Sequence, residues 1–108
     1  MKTLALIAAA GILGLGLPAQ ASEKLAQEKQ CMQCHAIDKD SAGPSFKKIA
    51  AHWKGKKNAE KTLINTIRKG SDASTGNHWG PAKMPDDSER PLVSGHEART
   101  LVRWILKQ

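Results

Sequence analysis

The chain has no tyrosine, one phenylalanine and three tryptophans in 108 residues. At this length it makes one small domain, and with so few aromatic side chains that domain has a thin core which something must supplement. Two cysteines separated by two residues exclude a disulfide framework as the supplement, since so short a loop removes little chain entropy. No segment of strand length alternates apolar and polar residues, which excludes a sheet protein. No apolar run reaches the roughly 20 residues of a membrane-spanning helix. Acidic groups are outnumbered, 10 against 17 basic ones for a formal charge of +7, and this excludes an acidic disordered chain.

The first stretch is subtracted before the fold is considered. Met1 and Lys2 open it with positive charge, Leu4 to Leu17 is an apolar run interrupted by glycines, and Pro18-Ala19-Gln20-Ala21 ends in the small-residue pattern of a signal-peptidase site. Residues 1–21 therefore read as a cleaved secretory signal, with an uncleaved anchor as the alternative, and 22–108 as the exported domain. Of the basic residues only Lys2 leaves with the signal, so the positive excess belongs to the domain.

Export makes a disulfide the ordinary expectation for Cys31 and Cys34. A redox dithiol needs a βαβ context that is missing, and a zinc site needs two further ligands with no second C-x-x-C to supply them. His35 follows Cys34 directly. Cys31-Met32-Gln33-Cys34-His35 is the haem attachment sequence. Thiols three positions apart on a helical turn reach the two vinyl groups on one edge of a porphyrin and form thioethers, and the adjacent imidazole swings under the ring to the iron.

The sixth ligand then decides between electron transfer, gas binding and peroxide chemistry. Met1 leaves with the signal and Met32 sits inside the motif. Met84 lies in the Gly/Pro-rich stretch Asn77-His78-Trp79-Gly80-Pro81-Ala82-Lys83-Met84-Pro85 and reads as the distal ligand. His52, His78 and His96 are its rivals. His52 and His96 fall on helices and are expected to face solvent, whereas His78 competes because it shares the Met84 loop.

The rest of the pattern is helical. Ser22 can cap a helix over Glu23 to Gln30. Phe46, Ile49, Ala50 and Trp53 form one apolar stripe of a helix ending near Gly55, and Ala59, Leu63, Ile64 and Ile67 form another after Asn58 as a cap, with Gly70 as its stop. Ser94 and Glu97 make a capping box for a last helix whose face is Ala98, Leu101, Val102 and Ile105, with Trp104 beside it. The expected fold class is all-α, four short helices and loops wrapped around one haem. The porphyrin is the missing core, worth about 25 cal/mol for each Å² of apolar surface buried.

At this point the sequence resembles the class I c-type cytochromes of bacteria, most closely the cytochrome c-551 group of small periplasmic electron carriers. The likeness spans 22–108. It rests on Cys31-Met32-Gln33-Cys34-His35-Ala36-Ile37-Asp38, on Gly43-Pro44, on Trp79-Gly80-Pro81 ahead of Met84-Pro85, and on Val93-Ser94 followed by a helix holding Trp104. The resemblance implies one haem c bound covalently through Cys31 and Cys34, with His35 and Met84 as iron ligands. It implies that the Pro44 carbonyl accepts the far ring proton of His35, that Trp79 donates to a haem propionate, and that Trp104 packs the last helix near the first.

Two departures from that family stand out. Met84-Pro85-Asp86-Asp87 replaces the usual Met-Pro-Pro-Asn, so a carboxylate stands where an amide can donate to the sulfur; unless Asp87 points to water, its charge lowers the reduction potential. The Ser71-to-His78 loop is longer than usual and lacks the basic propionate partner, for which Arg68 is the substitute. The implied function is one-electron transfer in the periplasm by a monomer that catalyses no reaction of its own. A labile sixth ligand would instead make a haem sensor or peroxidase-like protein. The expected partners are redox proteins with an acidic docking face, such as a cytochrome bc complex, a nitrite reductase or a terminal oxidase. No nucleic acid and no stable membrane insertion are expected. Lys29, Lys39, Lys47, Lys48 and Lys83 are expected around the exposed haem edge, with Lys54, Lys56 and Lys57 as a separate cluster.

Overall fold

The computed structural model describes residues 18–71 and 82–108. The apolar part of the predicted signal, and His78 and Trp79 with it, lie outside the described residues. Four α-helices and one short 3₁₀ turn account for the regular structure, and no strand occurs among the described residues.

Helix α1 spans Pro18–Glu28. The helix thus includes residues ahead of the predicted cleavage point, and Ser22, expected as its N-cap, lies inside it and is buried. In the uncleaved chain Ala19, Gln20 and Ala21 simply continue the helix. It ends on Gln30, which adopts the left-handed conformation with φ 62° and ψ 20°. This reversal delivers the chain into the 3₁₀ turn Cys31–Gln33.

Helix α2 spans Phe46–Trp53 and is capped by Ser45, whose hydroxyl accepts from the Lys48 N–H at 3.1 Å. Helix α3 spans Ala59–Lys69. Asn58 precedes it without a side-chain cap bond, contrary to the sequence expectation, and its carbonyl alone accepts from Thr62 at 2.9 Å. Gly70 stops the helix with φ +76°. Helix α4 spans Gly95–Ile105 and carries the predicted capping box in full, with the Ser94 hydroxyl accepting from the Glu97 N–H and the Glu97 carboxylate from the Ser94 N–H.

Helix α4 is the hub, packed against α1, α2 and α3. It contributes Ala98, Leu101, Val102, Trp104 and Ile105 to a core that takes Ala26 from α1, Phe46 and Ile49 from α2, and Ile67 from α3. The core is as thin as the composition predicts. Trp53, Leu63, Ile64 and Met84 reach it but remain only partly buried. Trp53, Leu63 and Met84 border a cleft, to which α2 and α3 present apolar surface.

Candidate functional site

The cleft lies between α2, α3, the Cys31–His35 turn and the segment 82–85. Its empty volume, mouth included, is about 1210 Å³. Cys31, Cys34 and His35 line one wall and Met84 another. The structure therefore brings together every residue of the predicted ligand and tether set.

On the His35 wall, neighbours in sequence do the positioning. The Gly43 N–H bonds to the Cys34 carbonyl at 2.8 Å, and Phe46 and Lys47 bond back to the carbonyls of Ala36 and Ile37 at 2.9 and 3.0 Å. The Ser45 N–H donates to Asp40 at 2.9 Å. The 36–45 loop is thereby folded back over the motif, which puts the Pro44 carbonyl 2.7 Å from Nδ1 of His35. A carbonyl only accepts, so Nδ1 carries the proton and the lone pair of Nε2 is left for a metal. Burial pushes the His35 pKa down, against the opposing effect of the Pro44 bond, and the ring is held neutral as a ligand must be.

Gly43 is required here. A Cβ at that position would lie 2.7 Å from Cε1 of His35. The imidazole stacks on Phe46, with centroids 5.3 Å apart at 20°, and Phe46 meets Trp104 edge-on at 5.2 Å. Burial raises the Cys31 thiol above its ordinary value, with the Arg90 charge acting in the opposite direction. Cys31 and Cys34 form no disulfide.

On the Met84 wall, the contacts come from far along the chain. The Met84 N–H donates to the Ser71 hydroxyl at 2.8 Å, and the Ser71 N–H returns a bond to the Met84 carbonyl at 3.1 Å. Gly70 allows this approach, because a Cβ there would lie 2.7 Å from the Met84 carbonyl oxygen. Arg90 holds the next residue, its Nε donating to the Pro85 carbonyl at 3.2 Å.

Other sequence expectations are redistributed. His52 and His96 are exposed as expected. Arg68 lies near Gly95 at the start of α4 and is not among the residues lining the cleft. Asp87 is exposed in a turn, which meets the stated condition under which its charge does not act on the sulfur. Lys29 is not a free edge charge. Its ammonium donates to the Leu92 carbonyl at 2.8 Å and pairs with Glu97 at 3.1 Å. Lys48 pairs with Asp40. Lys47 borders a second groove with Lys54, Lys56 and Lys107. Of the lysines expected at the edge, Lys83 lines the cleft itself, and Lys39 is exposed. Phe46, Gly70, Ser71 and Arg90 were not singled out as site residues; the spacing of Phe46 from His35 carries a faint signal, and the others carry none that is local.

The cytochrome c family model matches residues 19–108. The chain belongs to the cytochrome c family. It is 39% identical to cytochrome c-551 of Pseudomonas aeruginosa over 97% of this chain and 93% of that one. It is 34% identical to cytochrome c-552 of Hydrogenobacter thermophilus, covering 98% and 97% of the two chains. The crystal structure of Nitrosomonas europaea cytochrome c552 superposes with a TM-score of 0.68 at 33% identity, over 79% of this chain and 96% of that one.

Haem c is the cofactor of this cytochrome, attached through Cys31 and Cys34. The residues present fit it. Two cysteines that form no disulfide and a neutral imidazole line one apolar cleft, and the glycine beside the imidazole leaves it room. The fold is that of the class I cytochromes, and the activity is electron transport, not enzymatic turnover.

Proposed function

We propose that this cytochrome is exported, loses residues 1–21, and works in the periplasm as a monomeric one-electron carrier whose haem iron is held between His35 and Met84. The observation that carries the reading is the placement of Met84. It shares the cleft with His35, is partly buried, and has both its N–H and its carbonyl fixed by Ser71.

When bound, haem c supplies an iron that cycles between Fe(III) and Fe(II). The protein's part is to keep that change inexpensive. His35 is oriented by Pro44, close to Gly43 and stacked on Phe46, which restricts the imidazole. The Met84 thioether adds a neutral ligand, which raises the potential and fills the position that peroxide or oxygen would need. In this reading Trp79 donates to a haem propionate. Lys39 and Lys83 steer an acidic docking face, with a quinol-oxidising cytochrome complex as donor and a nitrite reductase or terminal oxidase as acceptor.

The test is the holoprotein recovered from a periplasmic fraction. Its mass should equal residues 22–108 plus one haem. Its ferric form should show the far-red charge-transfer band of methionine sulfur on iron, and Met84→Ala should abolish the band and open the iron to cyanide. A wild type without the band that binds carbon monoxide or cyanide readily is a sensor or peroxidase-like protein instead.

A further inference from the structure

The segment between Met84 and α4 carries one side chain whose placement the ligand set does not explain. Nη2 of Arg90 is buried and, alone among the buried side-chain nitrogens and oxygens of the described residues, has no hydrogen-bond partner. The rest of the guanidinium is anchored on backbone. Nε donates to the Pro85 carbonyl at 3.2 Å and Nη1 to the Pro91 carbonyl at 3.3 Å. Among the described residues no carboxylate forms an ion pair with it. Asp86 feels its charge but turns Oδ1 to the N–H and hydroxyl of Ser88. Arg90 is also within electrostatic reach of Cys31. A cation is thus pinned, partly desolvated, on the residue that follows Met84.

A guanidinium in that condition is costly, because its desolvation is offset by two backbone bonds and by the Asp86 charge acting at a distance, with no direct ion pair. Cys31 and Pro85 both line the cleft that takes the haem, and Arg90, which does not line it, is bonded to Pro85. Taking up an electron lowers the charge of the haem by one, and a fixed cation nearby in a medium of low dielectric favours that state.

We propose that Arg90 is a potential-setting residue, a half-buried cation anchored to the Met84 wall of the cleft that stabilises the reduced iron. The inference rests on the His35/Met84 reading and goes beyond it. It also reverses the sign expected from sequence at this loop. The charge that acts on the iron from the segment after Met84 is the positive one of Arg90, and not the negative one of Asp87.

The experiment is a redox titration of the holoprotein as wild type, Arg90→Gln and Arg90→Lys, with the far-red band recorded in each ferric form. Arg90→Gln should keep the band and shift the equilibrium with a fixed mediator on the order of tenfold toward oxidation, which is ~59 mV for a one-electron couple. Arg90→Lys keeps the charge and loses the planar fork, and should stay within about twofold of wild type. An unchanged potential in Arg90→Gln overturns the proposal. So does a fall in Arg90→Lys equal to that in Arg90→Gln, which would leave Arg90 as a strap on the Pro85 carbonyl. Should Arg90→Gln lose the band, Arg90→Lys decides: band and potential retained support the charge, and band lost overturns it. A wild type with no band overturns the Met84 ligation beneath the proposal, an outcome separate from all of these.

Discussion

The two walls of the haem cleft are built by opposite strategies. The His35 wall is local: the motif, the loop that returns over it and the start of α2 lie within residues 31–46, and hydrogen bonds between near neighbours place the Pro44 carbonyl on the imidazole. The Met84 wall is assembled at a distance, with its loop clamped by Ser71 and Gly70 at the end of α3 and by Arg90 beyond it. One wall is in place wherever the motif folds, and the other exists only once α3 and the segment after Met84 have met. The two should therefore fail separately.

The largest effect should come from breaking the local wall. Gly43→Ala sets a methyl 2.7 Å from the His35 ring, and that ring is backed by Phe46, which is backed by Trp104. With nothing able to yield, the cost should be about 2–3 kcal/mol of unfolding free energy, the upper part of the overpacking range. The yield of covalently attached haem should drop with it. Denaturant unfolding and haem staining of equal protein loads check both.

Breaking the assembled wall should be milder and leave attachment intact. Ser71→Ala removes the hydroxyl that accepts from Met84 N–H and leaves the Ser71 N–H bond to the Met84 carbonyl in place. The loss is about 1 kcal/mol, one hydrogen bond with a partly buried donor left behind. It should appear as the far-red band melting at a lower temperature than in wild type, while the yield of haem and the global unfolding midpoint change little. A band and a global transition that move together would show that the two walls are one cooperative unit.

The same contrast explains what could be read before the structure. The attachment motif, the α2 stripe and the Ser94–Glu97 capping box were legible because each is written within a few residues of itself. Met84 was legible as a candidate by elimination among three methionines. Its support was not, because Ser71 looks like an ordinary loop serine and Gly70 like an ordinary helix stop until the Met84 carbonyl is found against it. Arg90 is a lone basic residue between Glu89 and Pro91, and only the fold shows that one of its nitrogens is buried. Lys29 failed in the other direction. Its position ahead of Cys31 suggested a docking charge, and α4 happens to present Glu97 and the Leu92 carbonyl to it.

That Lys29 contact ties the end of α1 to the start of α4, and it gives a pH test. Glu97 is held below its ordinary value by the Ser94 backbone bond first and by Lys29 next. A depressed carboxylate contributes stability that is present above the ordinary value near 4.5 and is lost as pH falls through the lower native value. Glu97→Gln keeps an oxygen for the cap and gives up the charge. Its melting temperature should be slightly lower than that of wild type at neutral pH, and the two should converge in acid below the ordinary glutamate range. Curves that stay parallel through acid would remove Glu97 from the junction.

The smallest expected effect is the most discriminating for the electrostatics of the distal loop. The sequence places Asp87 where an amide is usual and so predicts that Asp87→Asn raises the potential. In the structure the side chain is exposed in a turn, where water and salt screen it within about 10 Å at moderate ionic strength. Asp87→Asn should therefore shift the potential by less than about twofold in the equilibrium constant, ~18 mV on the scale of 59 mV per tenfold. That residue should vanish at high salt, as a surface charge effect must. Arg90 is anchored on two carbonyls with a buried nitrogen, so its effect should persist at high salt. A large rise in Asp87→Asn that survives salt would mean that the carboxylate turns inward to the sulfur once haem is attached, and would restore the sequence reading over the structural one.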